Sequence, residues 1–113
     1  MLEILFAKDK LSKDCNDLKR ATIRWGAECG RLVMRRLDDL RAAPNLEVMR
    51  KLPQARCREL RADRKGQIAV DVKQPKRLIF EPANDPPPYR ADGGWDWQRI
   101  TIIRILEVTD YHG

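Results

Sequence analysis

Residues 56–80 read RCRELRADRKGQIAVDVKQPKRLIF, and the spacing of their apolar positions decides the fold. Ile68, Val70 and Val72 recur with period two, as do Leu78 and Phe80, so each set projects from one face of a strand. The basic turn Asp63-Arg64-Lys65-Gly66 joins two such runs, and Gln74-Pro75 marks a second turn. The stretch is therefore expected to form a β-meander with strands near 56–61, 67–73 and 76–81. A sheet that buries one face under the rest of the chain leaves the other open, here for Arg58, Lys65 and Arg77.

Charge concentrates in the same region. Between Arg50 and Arg77 ten Lys or Arg face only Glu59, Asp63 and Asp71, a local +7 against +6 for the whole chain. Such an excess is the footprint of a protein that handles a polyanion, although it also serves simply as a solvated basic surface.

Working outward, Leu2, Ile4 and Phe6 alternate as a first strand. A helix follows, capped by Asp9 or Ser12, with Leu11, Cys15, Leu18, Thr22 and Trp25 on one stripe and Gly26 at its end. A second helix is expected over 27–43. Cys29, Leu32, Val33, Leu37 and Leu40 mark its apolar face, Arg31, Arg35, Asp38 and Asp39 lie opposite, and Pro44 stops it. Residues 45–55 read as a connector with one helical turn around 46–49. Four prolines and two adjacent glycines make 82–98 a long loop without regular structure, anchored by Trp95 and Trp97. Residues 100–108, ITIIRILEV, are apolar on both faces, as a central strand requires. The expected fold is thus one α+β domain over 1–113: an N-terminal strand, then a helical hairpin packed on one face of a small antiparallel β-sheet.

At 113 residues with 42% hydrophobic and 35% charged content, the chain has room for one modest core. No apolar run reaches the roughly 18 residues that suggest a membrane span, and the N-terminus lacks a cleavage signal, so a cytoplasmic protein with no membrane partner is expected. Cys15, Cys29 and Cys57 form no C-x-x-C pair and read as reduced, mostly buried thiols. With one histidine in the chain, neither a zinc site nor another cofactor is expected.

The order strand, helix, helix, meander and last strand resembles the RelE/ParE superfamily of bacterial toxins. More closely it is similar to the HigB branch, the plasmid-maintenance killer proteins of type II toxin-antitoxin systems. The likeness is carried by LRADRKG (60–66), RLIFEP (77–82), the Ala83-Asn84-Asp85-Pro86 loop and Asp110-Tyr111-His112. It implies a ribosome-dependent endoribonuclease that cuts mRNA, inhibits translation and arrests growth. It also implies a helix-turn-helix, HigA-like antitoxin as partner, and contact with operator DNA only through that antitoxin. The charged outer side formed by Arg31, Arg35 and Asp39 marks the hairpin as one candidate antitoxin surface, with the sheet face as the other.

Cleaving RNA without a metal requires three things: deprotonation of a ribose 2'-OH, stabilisation of a phosphorane and protonation of the leaving 5'-oxygen. His112 is the one side chain whose unperturbed pKa, about 6.5, suits either proton transfer. The resemblance makes it a candidate acid or base, with Tyr111 positioning the base or phosphate and Asp110 orienting His112. Arg77 falls where the family binds the scissile phosphate; its plainer role is a strand-edge cation paired with Glu81 or Glu107. Arg56, Arg58, Arg64, Lys65, Lys76 and Arg77 form the expected RNA- or ribosome-binding set.

Two positions depart from the family. Arg58 stands where several relatives have histidine, and Ala62 where a glycine is common. Arginine stabilises a phosphorane but is a poor general base, so the departure implies a slow enzyme, a greater share of proton transfer for His112, or lost activity. A non-catalytic reading therefore stands beside the first: a ParE-like gyrase inhibitor, or a degenerate toxin acting mainly by binding its antitoxin.

Overall fold

The computed structural model describes residues 1–110. Five strands form one sheet in the order β1-β5-β4-β3-β2, built from β1 (Glu3–Phe6), β2 (Arg58–Glu59), β3 (Ile68–Asp71), β4 (Lys76–Pro82) and β5 (Ile102–Asp110). The meander pairs antiparallel, as its two-residue periodicity requires, but β1 runs parallel to β5. The sheet is accordingly mixed rather than antiparallel. The reason is topological: the helices carry the chain over one face and return it, so β5 ends beside β1 in the same direction. As expected from its two apolar faces, β5 is a central strand.

Among the described residues there are four α-helices, α1 (Asp9–Cys15), α2 (Leu18–Trp25), α3 (Ala27–Ala42) and α4 (Leu46–Arg50). The single helix expected before Gly26 is two. Asn16 ends α1, its side-chain amide donating to the Ser12 carbonyl oxygen at 2.7 Å, and Asp17 opens α2 by accepting from the Lys19 and Arg20 N–H groups. Both residue types favour caps over helix interiors, and that local preference outweighs the apolar stripe. Neither Asp9 nor Ser12 caps α1, which begins after Lys8 without a side-chain cap. The break also turns Leu18 outward, leaving it 48% exposed. The turn expected around 46–49 is α4, capped by Asn45 through the Val48 N–H.

The helices bury their apolar faces on one side of the sheet. Val33, Leu37 and Leu40 of α3 and Leu46 and Met49 of α4 meet Ile68, Val70, Leu78, Phe80, Ile103 and Ile105, all fully buried. Each such side chain is worth roughly 1.5–3 kcal/mol of transfer free energy, which makes this face the seat of stability. Cys15 and Cys29 join the same core. Burial pushes the thiols of Cys15 and Cys57 up to about 12 and raises that of Cys29, so all three are protonated and non-nucleophilic at neutral pH.

Asp14 ties α1 to α2. Its buried carboxylate accepts from Arg20 Nε at 3.1 Å and Arg24 Nη1 at 2.8 Å. Burial pushes the group up, but the hydrogen bonds from Arg24 and Arg20 outweigh it and hold the carboxyl below its ordinary value of 3.8. With the folded value the lower of the two, the stabilisation is complete above the unfolded pKa and is lost as pH falls through the folded one. Asp14→Asn should therefore be less stable than the parent near neutrality, with the gap closing below about pH 4. Thermal melts of both proteins across pH 7 to 2 check this, and a gap that stays constant down to pH 2 would contradict it.

Candidate nucleic-acid interface

The sheet face away from the helices carries the residues that pair across rows. Asp71 stands opposite Arg77, which stands opposite Thr109; Ala69 opposite Ile79, which stands opposite Glu107; and Glu81 opposite Arg104. Arg58 pairs with Ala69 and so projects to the same side. Part of this face is covered. Leu60, Ala69 and Ile79 form a second small apolar cluster with Leu106 packed on it. Arg64, in the turn above, reaches across to Glu107 at 3.0 Å and to Gln67 at 3.1 Å.

The uncovered part centres on Asp71. Only 5% exposed, its carboxylate is met by Arg58 Nη1 at 3.0 Å, Arg56 Nη1 at 3.3 Å, Gln74 Nε2 at 3.1 Å and, more loosely, Arg77 Nε at 3.8 Å. From the helix side, buried Arg36 donates from Nε to the Asp71 carbonyl oxygen at 2.9 Å, and its other nitrogens bind the Gln54 carbonyl oxygen and Asp39. The strand end is thus clamped from both faces. A buried carboxylate is tolerable only when paired, and here three guanidiniums share one negative charge. The cluster keeps two positive charges in excess, held in place before any ligand arrives.

Local backbone explains how Arg56 and Arg58 reach one point. The strand expected over 56–61 is only Arg58–Glu59, because Arg56 lies in the left-handed region at φ 46° after a 3-10 turn over Pro53–Ala55. Arg58 Nη1 donates back to the Arg56 carbonyl oxygen at 2.7 Å, closing the bend. Ala62, also left-handed at φ 56°, ends the extended run on the other side, the conformation that a glycine adopts without a Cβ penalty. Between two such bends only two residues can pair in register.

Of the residues singled out in the sequence, Arg56, Arg58 and Arg77 converge on Asp71. Arg77 pairs with that acid and with the Pro75 carbonyl oxygen, whereas Glu81 binds Arg104 and Glu107 binds Arg64. Arg64, on the covering turn with exposed Lys65, reaches the Glu107 row, about 7 Å along the strands from the Asp71 row. Lys76 and its partner Asp110 alternate with Arg77 and Thr109 and so project to the helix side of the sheet, where Lys76 lies near Cys29 rather than in the Asp71 cluster, contrary to its expected place in the RNA-binding set. Tyr111 and His112 lie outside the described residues.

No protein-family model, curated protein or solved structure matches this chain.

Sequence reasoning missed Asp71, Gln74 and Arg36. Asp71 had a signal: it is an acid between the core residues Val70 and Val72, so strand parity alone puts it on the open face among cations. Arg36 had none, since it lies one position from Arg35 and its burial follows from where Gln54 and Asp71 come in the fold. What the cluster offers chemically is a rigid set of N–H donors for an oxyanion. A phosphodiester accepts such donors, and a phosphorane, with one more negative charge, accepts them more strongly.

Proposed function

We propose that the chain is the toxin of a type II toxin-antitoxin system, a HigB-like member of the RelE/ParE superfamily that cleaves mRNA on the ribosome without a metal, and that it acts in the cytoplasm. One observation carries this reading: Arg56, Arg58 and Arg77 gather around Asp71 on the sheet face opposite the helices. The coarse α+β order supports this reading, in that helices follow β1 and pack on one face of the sheet that the meander and β5 complete.

In this account Arg58 and Arg77 hold the scissile phosphate and stabilise the phosphorane. His112 transfers the proton, Tyr111 positions the base or phosphate, and Asp110 orients the imidazole. Asp110 closes β5 opposite Lys76, the sequence neighbour of Arg77, and the chain continues from there into Tyr111 and His112. Arg56 and, on the covering turn, Arg64 and Lys65 hold RNA or ribosomal backbone. The HigA-like antitoxin docks on the outer side of the helical hairpin. A groove of about 690 Å³ there is lined by Leu18, Arg31, Leu32, Arg35 and Asp39 among others, a mixture of apolar and charged groups suited to a helical partner. Operator DNA is reached through that antitoxin.

A second reading has an observation of its own. Arg58, where several members of the resembled family carry a histidine, is already bound to Asp71 and to the Arg56 carbonyl oxygen, which suits a structural arginine in a non-catalytic, ParE-like gyrase inhibitor or degenerate toxin. Primer-extension mapping of transcripts after induction, with and without translation, separates the two. New 5' ends within translated messages that vanish when translation is blocked are expected. Growth arrest with intact transcripts would replace this reading with the second.

A further inference from the structure

Beside the Asp71 cluster, and sharing Arg58 with it, lies a second cationic cleft whose other residues the cleavage chemistry does not use. It has a volume of about 400 Å³ and runs between β2, the end of α4 and residues 88–96. Arg50, Arg58, Arg61 and Arg90 line it with Trp95 and Trp97, and Glu59 is its one acidic lining residue. Arg50 lies over the Trp97 ring at 4.4 Å, and Arg90 is held by Asp92 at 2.8 Å. Among the described residues Arg58 bonds only through Nη1, and Arg61, exposed, has no ion-pair partner.

Trp95, on the cleft wall, carries an aromatic platform at the rim: Tyr89, itself outside the lining, stacks on it. Contrary to the expectation of irregular loop, 88–96 folds as a miniature hairpin. Tyr89 and Trp95 form a β-bridge, Arg90 N–H donates to the Gly94 carbonyl oxygen at 2.7 Å, and Asp96 N–H donates to that of Pro88 at 2.8 Å. The Tyr89 and Trp95 rings stack 4.6 Å apart at 18°. Trp95 packs on the main core, whereas Tyr89 remains 56% exposed, so a large flat ring is presented to solvent and held there.

We propose that this cleft binds single-stranded RNA, with the backbone over Arg61, Arg90 and Arg58 and a base stacked at the rim on Tyr89, next to the lining residue Trp95. Cations alone would equally suit an acidic peptide. The ordered, solvent-facing ring beside them is what favours a nucleic-acid strand, because every base offers a π-face and stacking on a fixed ring costs little ordering. Arg58 belongs to both the cleft and the Asp71 cluster, so a strand leaving the cluster enters the cleft without crossing a gap in positive charge. That this strand is the substrate rests on the proposed function; that the cleft binds it does not.

The test uses the full chain and a labelled ten-nucleotide single-stranded RNA of mixed sequence, read by anisotropy and tryptophan fluorescence. Binding should quench the tryptophans. Tyr89→Ala should weaken affinity roughly tenfold, with Tyr89→Phe restoring it, and Arg61→Ala should weaken binding and lower the logarithmic salt slope by about one. Unchanged affinity in Tyr89→Ala and Arg61→Ala would overturn the proposal, as would a polyglutamate peptide binding where the RNA does not. If transcripts are cut on expression while the cleft variants bind RNA like the parent, the cleft fails and the nuclease stands. If no transcript is cut but the cleft variants still lose RNA, the cleft stands and the nuclease fails.

Discussion

Replacing Arg77 and His112 together by alanine should abolish growth arrest on expression. Each substitution removes a different part of the proposed chemistry. A positioned donor to a developing oxyanion is worth about 10² to 10³ in rate, and a general acid or base about 10² to 10⁴. If Arg58 in place of the family's histidine slows the proposed enzyme, either loss leaves it little margin. The fold should survive, because without Arg77 the buried Asp71 carboxylate still accepts from Arg56, Arg58 and Gln74. Arg64→Ala should cost less, since Arg64 already spans to Glu107 and Gln67. Growth curves after induction, with protein levels and melting temperatures in parallel, read the outcome. Undiminished toxicity in the double variant would favour the non-catalytic class.

Gly30→Leu should be the most destabilising single change on the helical side, lowering stability by about 3 kcal/mol or more. A Cβ at Gly30 would lie 3.0 Å from the Ala21 carbonyl carbon and the Thr22 nitrogen, both backbone atoms of α2. Neither can yield without moving the helix, and Ala21 itself is fully buried. The approach is set by Gly26, whose φ of 89° turns the chain directly from α2 into α3. Gly30→Ala meets the same contact but regains about 1 kcal/mol of helix propensity, so it should be much milder. Denaturant melts should rank the proteins parent, alanine, leucine; equal midpoints for parent and leucine variant would show that α2 and α3 do not need this close approach.

Much of the fold is legible in the residues. The alternation of Ile68, Val70, Leu78 and Phe80, and the 3.6-residue stripe of Val33, Leu37 and Leu40, each point at the core they form. Periodicity is less informative where local hydrogen bonding competes with it. Asn16 and Asp17 cut a helix whose apolar stripe runs straight through them, and left-handed residues at 56 and 62 shorten a strand that composition alone would extend. The parallel pairing of β1 with β5 depends on how the helices return the chain, which no local pattern encodes. The cations of the site were visible as a charge excess. Their organising acid was overlooked because one aspartate among ten basic residues looks like neutralisation rather than a centre. The hairpin over 88–96 was hidden by its prolines and glycines, which mark turns but do not say that Tyr89 and Trp95 will meet.

The most direct measurement is ribosome affinity against salt for the parent and for Arg77→Ala. If Arg56, Arg58 and Arg77 replace counterions on RNA phosphates, affinity should fall at least about tenfold between roughly 50 and 200 mM salt, and Arg77→Ala should bind more weakly with a slope reduced by about one. A flat response, or parent and variant on the same line, would mean that the guanidiniums around Asp71 serve the sheet alone and hold no RNA.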